Sequence, residues 1–401
     1  MDITIHPARL QGEINAIPSK SHAHRVLICA AFSDSATKIL CAQTNQDIEA
    51  TADCLRALGA SITRTDDGYI VDPIAGVPSS AMLNCRESGS TLRFMLPIVG
   101  ALGVDATFQM TGRLPQRPLS PLWEEMERMG CRLDRPTCTT VRCQNKLRTG
   151  NYVISGGVSS QYITGLLFAL SLLEGESTLT ITGKLESRPY IDLTKKVLSD
   201  FDVTITDKIC GAFPFHTPGT VEIEGDWSNA AFFLAAAQME NFINIAGLSD
   251  FSVQGDRAIA ALLPVLKEQK ATISAADIPD LVPIMAVFAA AHHGAVFTDV
   301  ARLRIKESDR VETVCGMMKC LGAEAVATEN TLTVYPASFT GCTIDAAGDH
   351  RIAMAAAIAA TKTSGDVTIL GAQCVEKSYP SFWEEYRRLG GNYEQHIRTE
   401  F

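Results

Sequence analysis

Six stretches of the chain repeat one pattern of apolar and polar positions at intervals of about 70 residues. Each stretch has a small polar or basic cluster, an apolar helix, an amphipathic helix and a strand. A helix that is apolar on every side is buried, and six copies of one unit indicate internal duplication. The apolar helices are predicted to begin near Ser21, Ser90, Gln161, Asn229, Pro283 and Arg351.

The amphipathic helices and the strands complete the pattern. The helices are predicted to begin near Asp53, Leu122, Leu193, Ala261, Val314 and Phe382. Alternating apolar and polar residues predict strands at residues 3–6, 61–72, 131–143, 179–182, 203–208 and 332–336. Because helices and strands intermix throughout, we expect an α/β architecture with buried apolar helices and amphipathic helices nearer solvent.

Length and charge limit the possible architectures and partners. A chain of 401 residues exceeds what one hydrophobic core normally serves, so two domains of three repeats each are expected. Two prolines and two glycines break the pattern around residues 213–226, a candidate boundary. The net charge of −10 and the isoelectric point near 5.4 disfavour a general nucleic-acid or anionic-membrane surface. Any anion site must therefore be built locally.

Several other classes of protein are disfavoured by missing signals. The opening MDITIHPARLQGE has no signal-peptide pattern, and no apolar run approaches the roughly 18 residues of a membrane span, so a cytoplasmic protein is expected. No C-x-x-C occurs, and the C-x4-C pairs lack partners at metal spacing, so no metal site is expected. The chain has neither a P-loop nor a G-x-G-x-x-G, which disfavours ATP and dinucleotide chemistry.

Serines and cations cluster where the apolar helices begin. Helix N-termini attract phosphate and carboxylate groups, although Ser21, Ser90 and Ser228 could also be simple helix caps. Any one of the nearby cations would ordinarily be a solvated surface charge. Eight of them in an acidic protein predict a site for two small polyanions, provided that the helix starts converge. These cations are Lys20, Arg25, Arg93, Arg117, Lys306, Arg310, Arg351 and Lys377.

Motifs along nearly the whole chain resemble one family, the 3-phosphoshikimate 1-carboxyvinyltransferases, also called 5-enolpyruvylshikimate-3-phosphate (EPSP) synthases, of the enolpyruvyl transferases. The motifs are Pro18-Ser19-Lys20-Ser21 with Arg25, Glu87-Ser88-Gly89-Ser90, Gln116-Arg117-Pro118, Ser159-Ser160-Gln161, Glu186-Ser187-Arg188-Pro189-Tyr190, Pro279-Asp280, Lys306-Glu307-Ser308-Asp309-Arg310, Asp349-His350-Arg351 and Lys377-Ser378-Tyr379-Pro380. The resemblance implies a two-domain inside-out α/β barrel in which each domain has three βαβαββ repeats. One domain would span residues 14–224 and the other residues 1–13 plus 225–401, with the active site in the interdomain cleft.

The resemblance also implies a reaction. The enolpyruvyl group of phosphoenolpyruvate would pass to the 5-hydroxyl of shikimate 3-phosphate with release of phosphate, on the route to chorismate and the aromatic amino acids. The family is expected to act as a monomer on small molecules, with no cofactor, no nucleic acid and no membrane, and to be a glyphosate target. Two alternatives stay open: the sister enzyme that uses UDP-N-acetylglucosamine, and a noncatalytic binding paralogue.

Roles for individual residues follow from the matching motifs. Asp280, Glu307 and Lys20 would be catalytic, with Asp280 as the base near the 5-hydroxyl. Shikimate 3-phosphate would be held by Lys20, Ser21, Arg25, Ser159, Ser160, Gln161, Ser187, Tyr190, Asp280 and Lys306. Phosphoenolpyruvate would be held by Lys20, Gly89, Arg117, Gln161, Arg310, Arg351 and Lys377.

Structural alternatives remain for three of the acidic residues. Asp280 could cap the helix that opens at Leu281, Glu307 could pair with Arg310 at i,i+3 spacing, and Asp349 could orient His350 or Arg351. The chain also departs from the family pattern at two positions. Glu87 stands where many relatives have Asn, and Arg302 stands where some have an Asn that contacts shikimate 3-phosphate.

Overall fold

The computed structural model describes residues 1–211 and 213–396, and this part of the chain has a mixed α/β fold. The strands are β1 (Asp2–His6), β2 (Gln11–Asn15), β3 (Thr37–Leu40), β4 (Ser61–Thr65), β5 (Gly68–Asp72), β6 (Ser80–Asn84), β7 (Asp105–Gln109), β8 (Arg132–Asp134), β9 (Thr140–Gln144), β10 (Asn151–Ser155), β11 (Glu176–Thr182), β12 (Ile209–Cys210), β13 (Thr220–Glu222), β14 (Phe242–Ala246), β15 (Ala271–Ser274), β16 (Ala295–Thr298), β17 (Ala325–Ala327), β18 (Thr331–Val334), β19 (Cys342–Asp345), β20 (Val367–Leu370) and β21 (Asn392–His396).

The helices alternate with these strands. They are α1 (Lys20–Ala31), α2 (Gln46–Ala57), α3 (Gly89–Leu102), α4 (Leu122–Arg128), α5 (Ser160–Leu172), α6 (Arg188–Asp200), α7 (Trp227–Gln238), α8 (Ile259–Glu268), α9 (Val282–Ala290), α10 (Arg310–Cys320), α11 (His350–Ala360) and α12 (Phe382–Arg388). Short 3-10 helices span Leu114–Gln116, Gly255–Ala258, Ala301–Ile305 and Ala372–Lys377. In the part of the chain that the structure describes, no helix is both long and apolar enough to cross a membrane.

The chain divides into two compact units. The continuous unit is Pro18–Glu224, and the split unit is Met1–Ile17 together with the chain from Gly225 onward. The expected boundary after residue 13 falls inside β2, which pairs in parallel with β14 from Gln11 through Asn15. Because this pairing ties the whole strand to the split unit, the first segment extends four residues further, to Ile17.

The repeats are visible in the sheets. Within residues 1–211 and 213–396, four of the six sheets have four strands and share one order, as in β6-β7-β9-β8 and β15-β16-β18-β17. In each, a parallel pair is followed by two antiparallel pairings. The last sheet of the split unit is β19-β20-β1-β21, so the first strand of the chain lies between two of its final strands. The fold therefore depends on pairings that span most of the sequence.

The six apolar helices are confirmed as α1, α3, α5, α7, α9 and α11. Burial explains their composition: all nine residues of α9 and all eleven of α11 are buried. In the continuous unit α3 packs against α5, and Gly165 permits the close approach because a Cβ there would overlap the carbonyl oxygen of Arg93. In the split unit α7, α9 and α11 pack against one another. The amphipathic helices are confirmed as well.

Two local predictions need correction. Residues 203–208 are not a strand: the Thr206 hydroxyl bonds to both the amide and the carbonyl of Lys208, a local turn that competes with sheet pairing. The caps of three apolar helices also lie two residues before the serines we considered. The side chains of Ser19, Ser88 and Asp226 accept the capping hydrogen bonds at α1, α3 and α7.

Candidate active site

Five of the singled-out residues meet where α3 and α5 begin in the continuous unit. We call Gly89, Ser90, Arg93, Arg117 and Gln161 the Gly89 cluster. Arg93 donates from Nη1 to Gln161 Oε1 at 2.8 Å, and the side-chain Nε2 of Gln161 donates to Ser90 Oγ at 2.9 Å. A Cβ on Gly89 would lie 2.7 Å from Arg93 Nη1 and 2.8 Å from Arg117 Nη1. The absence of a side chain on Gly89 therefore brings two guanidinium groups against backbone at a helix N-terminus, which favours an anion.

The Arg25 side chain is buried between three helices of the same unit. Its Nε donates to Thr194 Oγ1 at 2.9 Å, and its Nη2 donates to the Tyr190 carbonyl at 3.0 Å. Burial lowers the pKa of Arg25 to about 9, while the partial charges of neighbouring Tyr190 and Cys29 raise it. Arg25 thus ties the start of α6 to α1 and supplies a cation from within the protein.

The remaining predicted residues of the continuous unit also lie at helix starts. Lys20 opens α1 and forms an ion pair with Asp47, with 3.1 Å between Nζ and Oδ2. Ser159 caps α5 by accepting a hydrogen bond from the backbone amide of Gln161, and Ser160 is the first residue of α5. Ser187 is the N-cap of α6 with φ 55°, a left-handed backbone that few residues other than glycine adopt. Ser21 and Tyr190 lie close by, since the Arg25 guanidinium donates to the backbone carbonyl of each.

The split unit contains a second charged group, which we call the Asp280 cluster: Asp280, Glu307, Arg310, Asp349 and Arg351. Arg310 is fully buried and donates to Asp280 at 2.7 Å, to Glu307 at 2.6 Å and to Asp349 at 2.9 Å. Arg351 donates from Nη2 to the other Asp280 oxygen at 3.1 Å. Two arginines therefore share one carboxylate that retains 18% side-chain exposure.

The charges in this cluster shift one another's pKa values. Burial would raise the pKa of Asp280, but Arg351, Lys306 and Arg310 outweigh it and hold that pKa well below its usual range. Burial lowers the pKa of Lys306 to about 8, although Asp280 opposes the change, with 4.0 Å between Nζ and Oδ1. Three surrounding carboxylates raise the pKa of Arg310 despite its burial. At neutral pH Asp280 and Arg310 are thus both ionised.

The structure decides among the structural alternatives. Asp280 is not a cap, because α9 begins at Val282 without a side-chain capping bond. Glu307 does pair with Arg310 at i,i+3 spacing. Asp349 caps α11, accepting from the Arg351 amide, and also accepts from Arg310 and Ser308. The carboxyl groups of Asp280 and Glu307 therefore both accept from the same guanidinium.

The structure also shows where Glu87 and Arg302, the two residues that depart from the family pattern, are located. The Glu87 carboxyl occupies the space that a side chain on Gly112 would need, so the acid lies over the loop before Arg117. Arg302 lies in the 3-10 helix Ala301–Ile305, where its charge helps to lower the pKa of Lys306. Lys377 ends another 3-10 helix and is 9% exposed.

Asp256 is a charged residue of the split unit that the sequence patterns did not single out. It is 1% exposed, accepts a hydrogen bond from the Ser228 hydroxyl, and has an Oδ1 atom without a hydrogen-bond partner. Burial, with the charge of Asp280, raises its pKa to about 7. No local sequence signal distinguishes this aspartate, because its burial depends on the packing of the 3-10 helix Gly255–Ala258 against α7 and α8.

Replacing Asp256 by Asn is expected to raise the melting temperature more at pH 8 than at pH 5. Between pH 3.8, its ordinary pKa, and about pH 7 the native state keeps this carboxyl protonated while the unfolded state ionises, so the stability falls across this range and is lowest above pH 7. An amide is neutral at both pH values. Thermal unfolding of both proteins at the two pH values, with the exposed Asp250→Asn as control, measures this. Equal shifts at both pH values would contradict the expectation.

Comparisons with known proteins agree with the fold. The chain superimposes on a solved EPSP synthase from Acinetobacter baumannii with a TM-score of 0.79 and 22% identity, covering 98% of this chain and 100% of the other. It superimposes on the enolpyruvyl transferase NikO from Streptomyces tendae with a TM-score of 0.76 and 17% identity, covering 98% of each. At these identities the likeness concerns the fold, which is that of enolpyruvyl transferases.

Sequence comparisons define the family. The model described as EPSP synthase (3-phosphoshikimate 1-carboxyvinyltransferase) matches residues 5–386. The chain is 35% identical to the 3-phosphoshikimate 1-carboxyvinyltransferase of Clostridium kluyveri, covering 98% of each protein, and 36% identical to that of Clostridium acetobutylicum, covering 97% of each. The chain belongs to the EPSP synthase family of enzymes.

Proposed function

We propose that this enzyme transfers the enolpyruvyl group of phosphoenolpyruvate to the 5-hydroxyl of shikimate 3-phosphate and releases phosphate, a step toward chorismate. The observation that carries the proposal is the family match, which extends over residues 5–386 and so includes both the Gly89 cluster and the Asp280 cluster. Both substrates carry phosphate and carboxylate groups. The two clusters offer arginine side chains that bind such groups.

We assign the contacts by motif. Lys20, Ser21, Arg25, Ser159, Ser160, Gln161, Ser187, Tyr190, Asp280 and Lys306 hold shikimate 3-phosphate, and Lys20, Gly89, Arg117, Gln161, Arg310, Arg351 and Lys377 hold phosphoenolpyruvate. The left-handed turn at Ser187 and the capping bond of Ser159 support the assignment, because each fixes a hydroxyl near a helix start. The paired guanidiniums at Gly89 suit a carboxylate or phosphate.

The chemistry requires proton transfers at two atoms. A proton adds to the methylene carbon of phosphoenolpyruvate, the 5-hydroxyl oxygen bonds to C2 and loses its proton, and a tetrahedral ketal forms. The ketal then loses a proton from its methyl group as the bond to phosphate breaks. Asp280 takes the hydroxyl proton, while Glu307 and Lys20 handle the proton at the methylene carbon. Lys306 bridges the attacking oxygen and the ring, and the arginines stabilise the departing phosphate.

The low pKa of Asp280 bears on its role as a base. With only protein groups around it, three cations keep its carboxyl ionised but make it a weak base. Anionic substrates that engage Arg310 and Arg351 would offset those positive charges, so the pKa of Asp280 would rise toward the range in which a carboxylate accepts a proton. Substrate binding would thus prepare the base.

The arrangement that goes with this reaction is part of the proposal. Each unit would contribute three βαβαββ repeats of an inside-out barrel, and residues of both units would act on the same two substrates. The enzyme would work in the cytoplasm as a monomer, without a metal or organic cofactor. This arrangement requires that Arg117 and Arg351, which belong to different units, both bind phosphoenolpyruvate.

Phosphate release from phosphoenolpyruvate tests the reaction. The purified protein would receive shikimate 3-phosphate or UDP-N-acetylglucosamine as acceptor, with no metal added and Asp280→Ala beside the wild type. Release that requires shikimate 3-phosphate and collapses in the variant supports the proposal. Release only with the nucleotide sugar would reassign the enzyme to the sister family, and no release with either acceptor would favour a noncatalytic paralogue.

Replacing Gly89 by Ala is expected to raise the KM for phosphoenolpyruvate and the inhibition constant of glyphosate together, by about tenfold. A Cβ at this position would force two guanidinium groups to move, weakening charge-assisted hydrogen bonds to the substrate. Steady-state kinetics with glyphosate as a competitive inhibitor measure both constants. Gly316→Ala is the control, because its Cβ meets no atom within 4 Å. Unchanged constants in Gly89→Ala would remove this explanation of the glycine.

A further inference from the structure

A cavity of about 440 Å³ lies within the continuous unit, in its third repeat. Helix α5 contributes Ile163 and Leu167, and helix α6 contributes Ile191 and Lys195. Each pair is spaced i,i+4, so both members point from the same face of their helix. The other wall is the edge of β11, including Ile181, together with the segment that leads to β12. Pockets that hold small molecules typically measure about 300–1,000 Å³.

The cavity exists because this repeat lacks part of the four-stranded sheet found in four of the other repeats. Within the described residues its sheet is β10-β11-β12, and β12 pairs with β11 only at Glu176 and Ser177. The turn at Thr206 and Lys208 takes the place of the strand predicted at residues 203–208. One edge of β11 beyond Ser177 is therefore left beside the cavity rather than covered by a paired strand.

Two charges of opposite sign line this cavity, together with apolar side chains and the threonines Thr178, Thr180 and Thr206. Of the lining residues that the structure describes, Lys195 and Asp207 alone are charged. Neither has a hydrogen bond or an ion pair among the residues that the structure describes, whereas the adjacent Lys196 pairs with Asp200 and Lys208 pairs with Glu176. Ile163, Leu167 and Ile191 provide a buried floor. The cavity thus combines an apolar floor with one cation and one anion that no protein group neutralises.

We propose that this cavity binds an α-amino acid with an apolar side chain. The α-carboxylate would accept from the Lys195 ammonium, and the α-ammonium would donate to the Asp207 carboxylate. The apolar side chain would cover Ile163, Leu167 and Ile191. A simple carboxylic acid would leave Asp207 without a partner, and an amine would leave Lys195 without one, so the zwitterion complements the charges best. None of the lining residues is among those assigned above to the two substrates.

Isothermal titration calorimetry of the full chain with L-phenylalanine and L-leucine tests the proposal. Saturable binding of one molecule per chain, unaffected by saturating shikimate 3-phosphate, is expected for both amino acids. 3-Phenylpropionate, phenethylamine and L-alanine are each expected to bind at least about tenfold more weakly, because each lacks a charge-assisted contact or the apolar group. The measurement needs no turnover, so it is independent of the proposed reaction.

Variants of the exposed charges complete the test. Lys195→Gln and Asp207→Asn are each expected to weaken L-phenylalanine binding by about tenfold or more, whereas Lys196→Gln, which changes a neighbour outside the cavity, should leave it within about twofold. Undetectable binding of either amino acid, binding lost in the presence of shikimate 3-phosphate, or equal affinity for 3-phenylpropionate would each overturn the proposal. So would an affinity that Lys195→Gln leaves unchanged.

Discussion

Replacing Asp280 by Asn is expected to lower kcat by about 100- to 10,000-fold, the range typical of a positioned acid or base. The amide keeps the shape of the side chain, but its single oxygen can accept from only one of the two arginines, which bond to different oxygens of Asp280, and it cannot take a proton from the 5-hydroxyl. The neutral amide also no longer offsets the positive charges of Arg310 and Arg351, so both arginines attract an anionic substrate more strongly. The KM for phosphoenolpyruvate should therefore not increase. Phosphate release measured over a range of both substrate concentrations separates the two constants.

The control for this experiment is Asp250→Asn, an exposed aspartate of the same unit whose loss should leave kcat unchanged. Thermal unfolding of Asp280→Asn shows whether a lower kcat reflects loss of folded protein. A folded variant with kcat within about threefold of the wild type would contradict the role of Asp280 as the base. A rise in KM with unchanged kcat would instead assign Asp280 to substrate binding alone.

The apolar helices were predictable from sequence because burial on all sides leaves an unambiguous composition. Every residue of α9 is buried, and no polar residue interrupts its sequence VPIMAVFAA. Boundaries were harder to predict. Helix α2 begins at Gln46, seven residues before the predicted start near Asp53, because Asn45 caps it by accepting from the Ile48 amide. A cap of this kind depends on a single side chain rather than on a periodic pattern.

Motifs single out the candidate residues, but apart from the Glu307–Arg310 pair they do not indicate which of these residues contact one another. The sequence contains Asp280, Arg310 and Asp349 at separations of 30 and 39 residues, and nothing local indicates that one guanidinium joins all three. Asp256 was missed for the same reason, since burial and a charged neighbour raise its pKa and neither is visible in sequence. The prediction of a strand at residues 203–208 was wrong because hydrogen bonds from a side chain to the backbone form a local turn that competes with sheet pairing.

Arg310 is the residue through which the Asp280 cluster contributes most directly to the stability of the fold. Its side chain has no exposure and bonds to three carboxylates, of which Asp349 is equally buried. Attraction to these carboxylates offsets the cost of burying the guanidinium, and the same guanidinium compensates their charges. A substitution at this position therefore affects the folded state as well as the binding of an anionic substrate.

Replacing Arg310 by Met is expected to lower the free energy of unfolding at pH 7.5 by about 3–5 kcal/mol, because breaking a buried ion pair leaves uncompensated charge behind. The loss should shrink as pH falls. The depressed pKa of Asp280 stabilises the wild type above the ordinary value of 3.8, and that contribution disappears only as pH falls through the lower native pKa. In the variant the carboxylates would protonate at higher pH and so relieve their own repulsion.

Urea unfolding of both proteins at pH 7.5 and pH 4.5 measures this difference. The matched control is Arg304→Met, which breaks a partly exposed pair with Asp309, 3.2 Å between Nη1 and Oδ2, and should cost at most about 1 kcal/mol. Equal losses in the two variants, or a loss in Arg310→Met that grows toward pH 4.5, would contradict the electrostatic account. The expected result would mean that a guanidinium assigned to bind phosphoenolpyruvate also holds the acidic groups of the split unit together, so changing it alters stability, substrate affinity and the pKa of the proposed base at once.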